Sequence, residues 1–539
     1  MEKKEKRWVF IYAVVLLALT SLPYLIGYWR QGSEWRYTGF VFGVEDGNSY
    51  IAKMLSGAVG SWLFRSPYTA YHQDGFLAFL PYIILGKLTT PPGQHEQLVA
   101  LYHLFRWLSG YLMIWATYDF IGIFIQPIGL RRLGLALSTA GGGVGWLSLM
   151  GLSSLWQGRI PLEFYSPETF GFLSIYGLPH LAMGRAFLLW GIVIFLRDRV
   201  QSNFKVGLKG GLIFLGLGLM QPLFVTIGWM VLVAFLTVYL TAKLIRTRNL
   251  NEIDWNDFIR YFWRAVWIIL ISSPIVIYNF ASFQLNSYLK GWSEQNIISS
   301  PPVTDYLLGY AILLPLIFVG ILRVLRSQMY GKEILFGWII LLPFLVYVPN
   351  NLQRRLAEGS WVPLVVLCLL SLKDLKINNS KWIHGWLLLS FLSTFMFLVG
   401  GVIIIFRPAL PLYRTSLEVD AFEELRNHVL AGQVVLADFD TSNAIPAWVP
   451  VRTLIGHGPE SLNLATLKPR VDLFFHPETT DLERVSLIKQ FHISYIIYGP
   501  IERSLGNWDP GSLPYLVPII QKGAIQIYKV DYSFPILSE

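Results

Sequence analysis

Apolar runs about as long as a bilayer is thick recur along most of this chain, and they constrain its fold more than any other feature. The first, Trp8 to Tyr28, follows the basic stretch MEKKEKR. Others lie at roughly 98–126, 133–152, 180–196, 206–221, 223–244, 262–280, 304–324, 334–349, 360–372 and 383–406. A helix needs about 20 apolar residues to cross a hydrocarbon core about 30 Å thick. Inside that core, backbone polar groups are satisfied only in helices or closed barrels. The pattern predicts a polytopic α-helical membrane protein with about 11 transmembrane helices. The stretch 206–244 is too long for one span, and MQP at Met220–Pro222 supplies a break.

Composition agrees. The 539 residues are 54% hydrophobic, 15% aromatic and 14% charged, whereas a soluble domain carries about 25% charged residues. The net charge of +9 does not call for nucleic acid, because much of the excess falls in short segments between the apolar runs. RR at Arg131, RDR at Arg197–Arg199, KLIRTR at Lys243–Arg248, RVLRS at Arg323–Ser327 and KDLK at Lys373–Lys376 would share one face with a cytoplasmic N-terminus. The first run, too long for a signal-peptide core and without a small-residue cleavage site, reads as a retained span. An odd span count then puts the C-terminus on the outer face. The chain has one cysteine, Cys368, so no disulfide forms within it. Walker A, GxGxxG, HExxH and CxxC motifs are absent, which argues against a pump with its own nucleotide site.

Two regions follow. Residues 1–406 read as the transmembrane domain, with a long first outer loop at 29–97. FLAFLPYIILGKL in that loop is short for spanning and suits an interfacial or re-entrant helix. Residues 407–539 have soluble-like patterning. QVVLAD, RTLIG, ISYIIYG and AIQIYKV read as strands; LEVDAFEELRNHVLAG and TDLERVSLIKQF read as amphipathic helices. The alternation predicts a C-terminal extracytoplasmic α/β domain.

Chemistry-bearing residues cluster in the predicted outer segments. Glu45 and Asp46, in FGVEDGNSY, are either acids of a solvated turn between Gly43 and Gly47, or a general base or cation ligand. Lys53, Tyr68 and His72 share that loop, as pocket residues or as solvated and headgroup-facing ones. In PNNLQRRLAEG, Arg354 and Arg355 stand against the positive-inside trend. Their planar forks match phosphate; the alternative is a salt bridge, for example to Glu358. Gln353 neighbours them. In SPETFGFLSIYGLPHLAMGRAF, Glu168 precedes His180 and Arg185, which enter a span, where ionisable groups are costly; the alternative for His180 is a satisfied interfacial histidine. His457, in IGHGPESLN, sits beyond a strand end with Asp438 and Asp440 upstream, either at a ligand site or in a tight glycine turn.

The stretches EDGNSYIAKM, YHQDGFL, PETFGFLSIYGLPHLAMG, NNLQRRLAEG, IGHGPESLN and YIIYGPIERSLG resemble those of a bacterial group within the GT-C superfamily of integral-membrane glycosyltransferases, over nearly the whole length. The resemblance implies inverting sugar transfer from a polyprenyl-phosphate-linked donor, at the outer face of the bacterial cell (inner) membrane. The acceptor, whether glycan, lipid or protein, is unspecified. It implies Asp46, or Glu45, as catalytic base, with Arg354 and Arg355 on the donor phosphate. Lys53, Tyr68, His72, Glu168, His180, Gln353 and His457 are the pocket candidates. Metal-dependent members hold Mg or Mn through a spaced D-x-D; here the two acids are adjacent, so a divalent cation is left open. The rival reading is a transporter or flippase of a lipid-linked glycan with an outer receptor domain.

Overall fold

The computed structural model describes residues 2–197, 201–247, 255–373 and 381–538. Of the basic segments, positions 198–199, 248 and 374–376 lie outside the described residues.

The chain is a multi-pass helical membrane protein. Among the described residues, seven helices are long and apolar enough to cross a membrane: Lys3–Arg30, Pro179–Arg197, Asn203–Met220, Pro222–Arg246, Trp255–Leu285, Gln353–Leu372 and Trp382–Ile405. Val303–Tyr310 and Leu314–Arg326, bent by 85°, make an eighth if taken as one broken span. The break expected at MQP is present, between Met220 and Pro222.

Among the described residues, three of the expected spans, 98–126, 133–152 and 334–349, fall outside this set, so the count of about 11 is not confirmed, for identifiable reasons. In 133–152 the helix Ile128–Ala140 stops at the glycine run that begins with Gly141, and short irregular turns follow over Ser148–Trp156. In 334–349 the helix Lys332–Tyr347 has 16 residues. The expected span 98–126 falls in Gln94–Phe124, a 31-residue helix that carries His103, Arg106 and Asp119. Arg106 is buried there and donates to Thr20 Oγ1, Ser21 Oγ and the Ile175 carbonyl at 3.0, 2.6 and 3.3 Å. Those bonds satisfy a charge that hydrocarbon could not.

The chain divides into two compact units. The first comprises Met1–Leu22, Phe105–Ala281 and Ile297–Gly401. Its core is almost wholly apolar, with Trp338 and Trp361 fully enclosed. The indole N–H of Trp361 donates to the Leu137 carbonyl at 2.8 Å, which satisfies its one polar atom.

The second unit comprises Pro23–Leu104, Ser282–Asn296 and Val402–Glu539, so the first predicted outer loop folds with the C-terminal segment. It holds a five-stranded sheet in the order Arg452–Thr453, Val434–Leu436, Ile493–Tyr498, Ile525–Val530, Leu516–Lys522. The first three strands run parallel; the last two join antiparallel. Leu516–Lys522 is an edge strand that contains Pro518, which weakened its sequence signal. Helix Asp481–Phe491 starts at a reciprocal cap between Thr480 and Glu483. Trp35–Tyr37 pairs antiparallel with Tyr413–Thr415, which ties the loop to the start of the C-terminal segment.

The acids of the first loop do not sit in a simple turn. They open the helix Val44–Ala58, entered through Gly43 in the left-handed region (φ 60°, ψ 53°). Acids in a first turn are favoured by the unpaired N–H groups and dipole there. FLAFLPYIILGKL contributes only the short helix Leu80–Gly86. The two helices lie backbone to backbone: a Cβ on Gly57 would meet the Ile83 carbonyl at 2.0 Å, and one on Gly86 the Met54 carbonyl at 1.7 Å. This contact fixes the helix that carries Glu45 and Asp46.

Candidate active site

Within the second unit, the helix Val44–Ala58 presents two kinds of polar residue. Glu45 and Asp46 point outward, while Asn48, Ser49 and Lys53 are buried. The buried face meets the loop that follows strand Arg452–Thr453. That loop turns at Gly456 (φ 147°), where a Cβ would lie 2.6 Å from the Ser442 backbone. Ser461 Oγ accepts the N–H groups of Gly456 and His457, both at 3.1 Å. The glycine turn and the candidate histidine are thus one feature, since the turn sets the histidine's backbone.

His457 is buried, with 7% of its side chain exposed, and its Nε2–H donates to Asp46 Oδ1 at 3.2 Å. Asp46 keeps 56% of its side chain exposed. Glu45 Oε1 accepts the Gly458 N–H at 2.6 Å. Tyr68 stacks on the imidazole, with ring centroids 5.5 Å apart, and its hydroxyl donates to the Asn443 carbonyl at 3.0 Å. Asn443 also accepts from Asn48 Nδ2 at 2.8 Å and donates to the Glu45 carbonyl at 3.3 Å. Two faces of one helix are therefore clamped by the same loops, and one carboxylate is left open to solvent above a fixed imidazole.

Beneath His457 lies Glu460. Its Oε1 accepts from Lys53 Nζ at 2.5 Å and Ser49 Oγ at 2.8 Å, and its Oε2 accepts from Ser66 Oγ at 3.1 Å. His457 Nδ1 faces the same Oε1 at 4.0 Å. Burial alone would disfavour the imidazolium, but the Glu460 and Asp46 carboxylates outweigh it and raise the His457 pKa. For Glu460, burial opposes ionisation, yet Lys53 and His457 prevail and hold its carboxyl below the ordinary value. Tyr68, buried and facing Glu460, Glu45 and Asp46, is pushed well up and stays a neutral phenol.

The sequence candidates Glu45, Asp46, Lys53, Tyr68 and His457 thus meet in one cluster. His72 does not join them: it lies on the surface, 3.6 Å from Asp74, with both side chains exposed. Glu460 and Asn443 were not singled out by sequence, although Glu460 sits inside IGHGPESLN. Its value depends on Lys53, which is 407 positions away.

In the first unit, Arg354 and Arg355 lie on the short 3₁₀ turn Gln353–Ala357. Gln353 anchors that turn: its Nε2 donates to the Val348 carbonyl at 2.9 Å and its Oε1 accepts the Ser300 N–H at 3.2 Å. Glu168 faces both arginines, with its oxygens 4.0 Å from Arg354 Nε and 3.6 Å from Arg355 Nε. Both Nε atoms are buried and lack a hydrogen-bond partner. The Arg354 guanidinium lies 4.7 Å over the Tyr165 ring. Glu358, proposed from sequence as their partner, instead takes Arg185 at 2.5 and 3.1 Å, fully buried. Arg185 also donates to the Pro167 and Glu168 carbonyls. One buried ion pair therefore fixes the backbone of Glu168 and the chain just after the arginines. His180 is buried in the first turn of the helix that carries Arg185.

The carboxylates of Glu45 and Asp46 turn to separate partners, the Gly458 N–H and His457. Among the described residues no three His, Cys, Asp or Glu side chains are grouped to hold a metal ion.

No protein family and no characterised protein matches the chain by sequence. Solved structures match by fold. The mycobacterial arabinofuranosyltransferase AftD is similar with a TM-score of 0.58 and 13% identity, over 97% of this chain and 40% of AftD. The chain thus spans well under half of that enzyme. The oligosaccharyltransferase AglB of Archaeoglobus fulgidus, solved with an inhibitory peptide and a dolichol-phosphate, gives 0.52 and 12%, over 99% of this chain and 75% of AglB. ArnT of Cupriavidus metallidurans bound to undecaprenyl phosphate gives 0.51 and 13%, over 97% of each chain.

Proposed function

We propose that this chain, which has the fold of the GT-C glycosyltransferases, is a membrane glycosyltransferase that takes its sugar from a polyprenyl-phosphate-linked donor. Asp46 is the catalytic base. The observation that carries the reading is a half-exposed Asp46 carboxylate hydrogen-bonded at 3.2 Å to a buried imidazole. A carboxylate so held can take the proton of an acceptor hydroxyl as that oxygen attacks the sugar carbon. His457 orients the carboxylate and offsets the charge around it. Glu45, turned to the Gly458 N–H, supports the helix start and is the second candidate for the base.

The donor's phosphate is the leaving group, and Arg354 and Arg355 are its proposed partners. Each carries a buried Nε without a hydrogen bond, and a guanidinium fork suits phosphate oxygens. Positive charge at a developing phosphate stabilises the transition state. The fold likeness to AglB and ArnT, solved with dolichol-phosphate and undecaprenyl phosphate, supports a polyprenyl donor. The second unit is proposed to lie outside the cytoplasm, at the bacterial cell (inner) membrane, and to help bind the acceptor.

The test is direct. The purified chain in liposomes is given polyprenyl-phosphate sugars and a panel of glycan, lipid and peptide acceptors. A new glycosidic bond with release of polyprenyl phosphate is expected. Movement of the lipid-linked sugar across the bilayer with no new bond would replace the enzyme by a flippase.

A further inference from the structure

We propose that Glu460 and Lys53 form a buried positioning pair that acts on Asp46 through His457. The proposal rests on the reading of Asp46 as the base, and it adds two residues that would not touch substrate.

Lys53 is 1% exposed and Glu460 4%. A buried ion pair is a poor source of stability, because desolvation cancels much of the attraction. An apolar pair could fill this space, since the Lys53 ammonium already sits among the rings of Tyr50, Phe64 and Phe79, at 5.3, 5.3 and 4.4 Å. The placement of the pair explains its presence better. Glu460 Oε1 accepts from Lys53 and faces His457 Nδ1, while His457 Nε2 reaches Asp46. Charge alternates along the row: ammonium, carboxylate, imidazolium, carboxylate.

Each member sets the next. Lys53 and the Ser49 and Ser66 hydroxyls hold Glu460 ionised and in place. Glu460, 4.0 Å from an Nδ1 that has no hydrogen-bond partner, favours by its charge a second proton there, so that the ring is an imidazolium whose Nε2–H donates. The imidazolium then holds the Asp46 carboxylate aimed through its Nε2–H. The groups facing His457 are Asp46 and Lys53 from the helix, Glu460 from its own loop, and the Tyr68 ring, whose hydroxyl is tied to Asn443. None of the others can replace Glu460 at Nδ1. Tyr288 OH donates to the Glu460 carbonyl at 3.3 Å, so the backbone is held independently of the carboxylate.

The test follows His457 itself. The full chain in nanodiscs is labelled at its histidine rings, and the His457 signal is assigned by its loss in His457→Gln. In Glu460→Gln, and in the double variant Lys53→Met/Glu460→Gln, the His457 titration should move to lower pH. The double variant leaves no unpaired buried charge, so it keeps the fold if Glu460→Gln does not. An unmoved titration overturns the proposal. So does unfolding of both variants while His457→Gln stays folded, since the pair then serves the fold alone. In the transfer assay with an undecaprenyl-phosphate sugar, Glu460→Gln should lower kcat on the order of 10- to 100-fold with donor KM unchanged. The same change should add little in a His457→Gln background; full additivity contradicts the proposal. If the wild type makes no glycosidic bond at all, the proposed function falls, while the titration still decides the coupling.

Discussion

His457 Nε2 and Asp46 Oδ1 are 3.2 Å apart, although 411 positions separate the two residues. The contact joins the start of the Val44–Ala58 helix to the loop after strand Arg452–Thr453, and pairs a buried imidazole with a half-exposed carboxylate.

That pairing predicts a pH signature in stability. The folded-state pKa of His457 is raised above 6.5, so the group stabilises the fold fully below 6.5 and loses that contribution as pH rises through the folded value. His457→Gln should therefore lower the melting temperature more at pH 6 than at pH 9. An equal shift at both would show that the imidazole carries no such charge.

Glu502 makes the opposite case. Burial, then the charge of Asp438, pushes its carboxyl up to about 7. Its protonated form favours folding at low pH, and the penalty grows from about 4.5 to about 7 at about 1.4 kcal/mol per unit. Glu502→Gln gives up one of the two backbone N–H groups, Asp438 and Gly499, that the carboxylate accepts, but it should flatten the fall in stability between about pH 4.5 and about pH 7. Denaturation curves at the two pH values measure this.

The arginines predict donor affinity. Arg354→Ala should weaken undecaprenyl phosphate binding by about 10-fold or more, the loss of a charged hydrogen bond worth about 1.5–3 kcal/mol. Arg354→Lys should restore only part, because an ammonium lacks the planar fork. Binding by tryptophan fluorescence or calorimetry reads both.

The Arg185–Glu358 pair predicts a stability effect instead. Arg185→Met leaves a buried carboxylate alone and should cost about 3–5 kcal/mol, whereas Arg185→Met/Glu358→Gln should cost less. Thermal unfolding in detergent compares them.

Much of this was legible in the chain. Apolar runs marked the spans, and the acids, the arginine pair and IGHGPESLN marked the residues worth following. The limits were physical. Hydropathy counts apolar residues but not helix ends, so the stretch ending near 152 read as a span although its helix stops at Gly141. A loop rich in Tyr, His and acids does not say which residues turn inward; Tyr68 does and His72 does not. Glu358 lay nearest the arginines in sequence, yet it pairs with Arg185 across 173 positions. Glu460 carries no local signal, because its role comes from Lys53 and His457 arriving from different segments.

The central claim is that Asp46 is the base, and one comparison tests it most directly. Asp46→Asn keeps the shape and can still meet His457, but it cannot take a proton. In the liposome assay with a polyprenyl-phosphate sugar, transfer should fall by on the order of 100- to 10,000-fold, with expression, melting behaviour and polyprenyl-phosphate binding unchanged. Transfer at the wild-type rate by a folded Asp46→Asn protein would contradict the account.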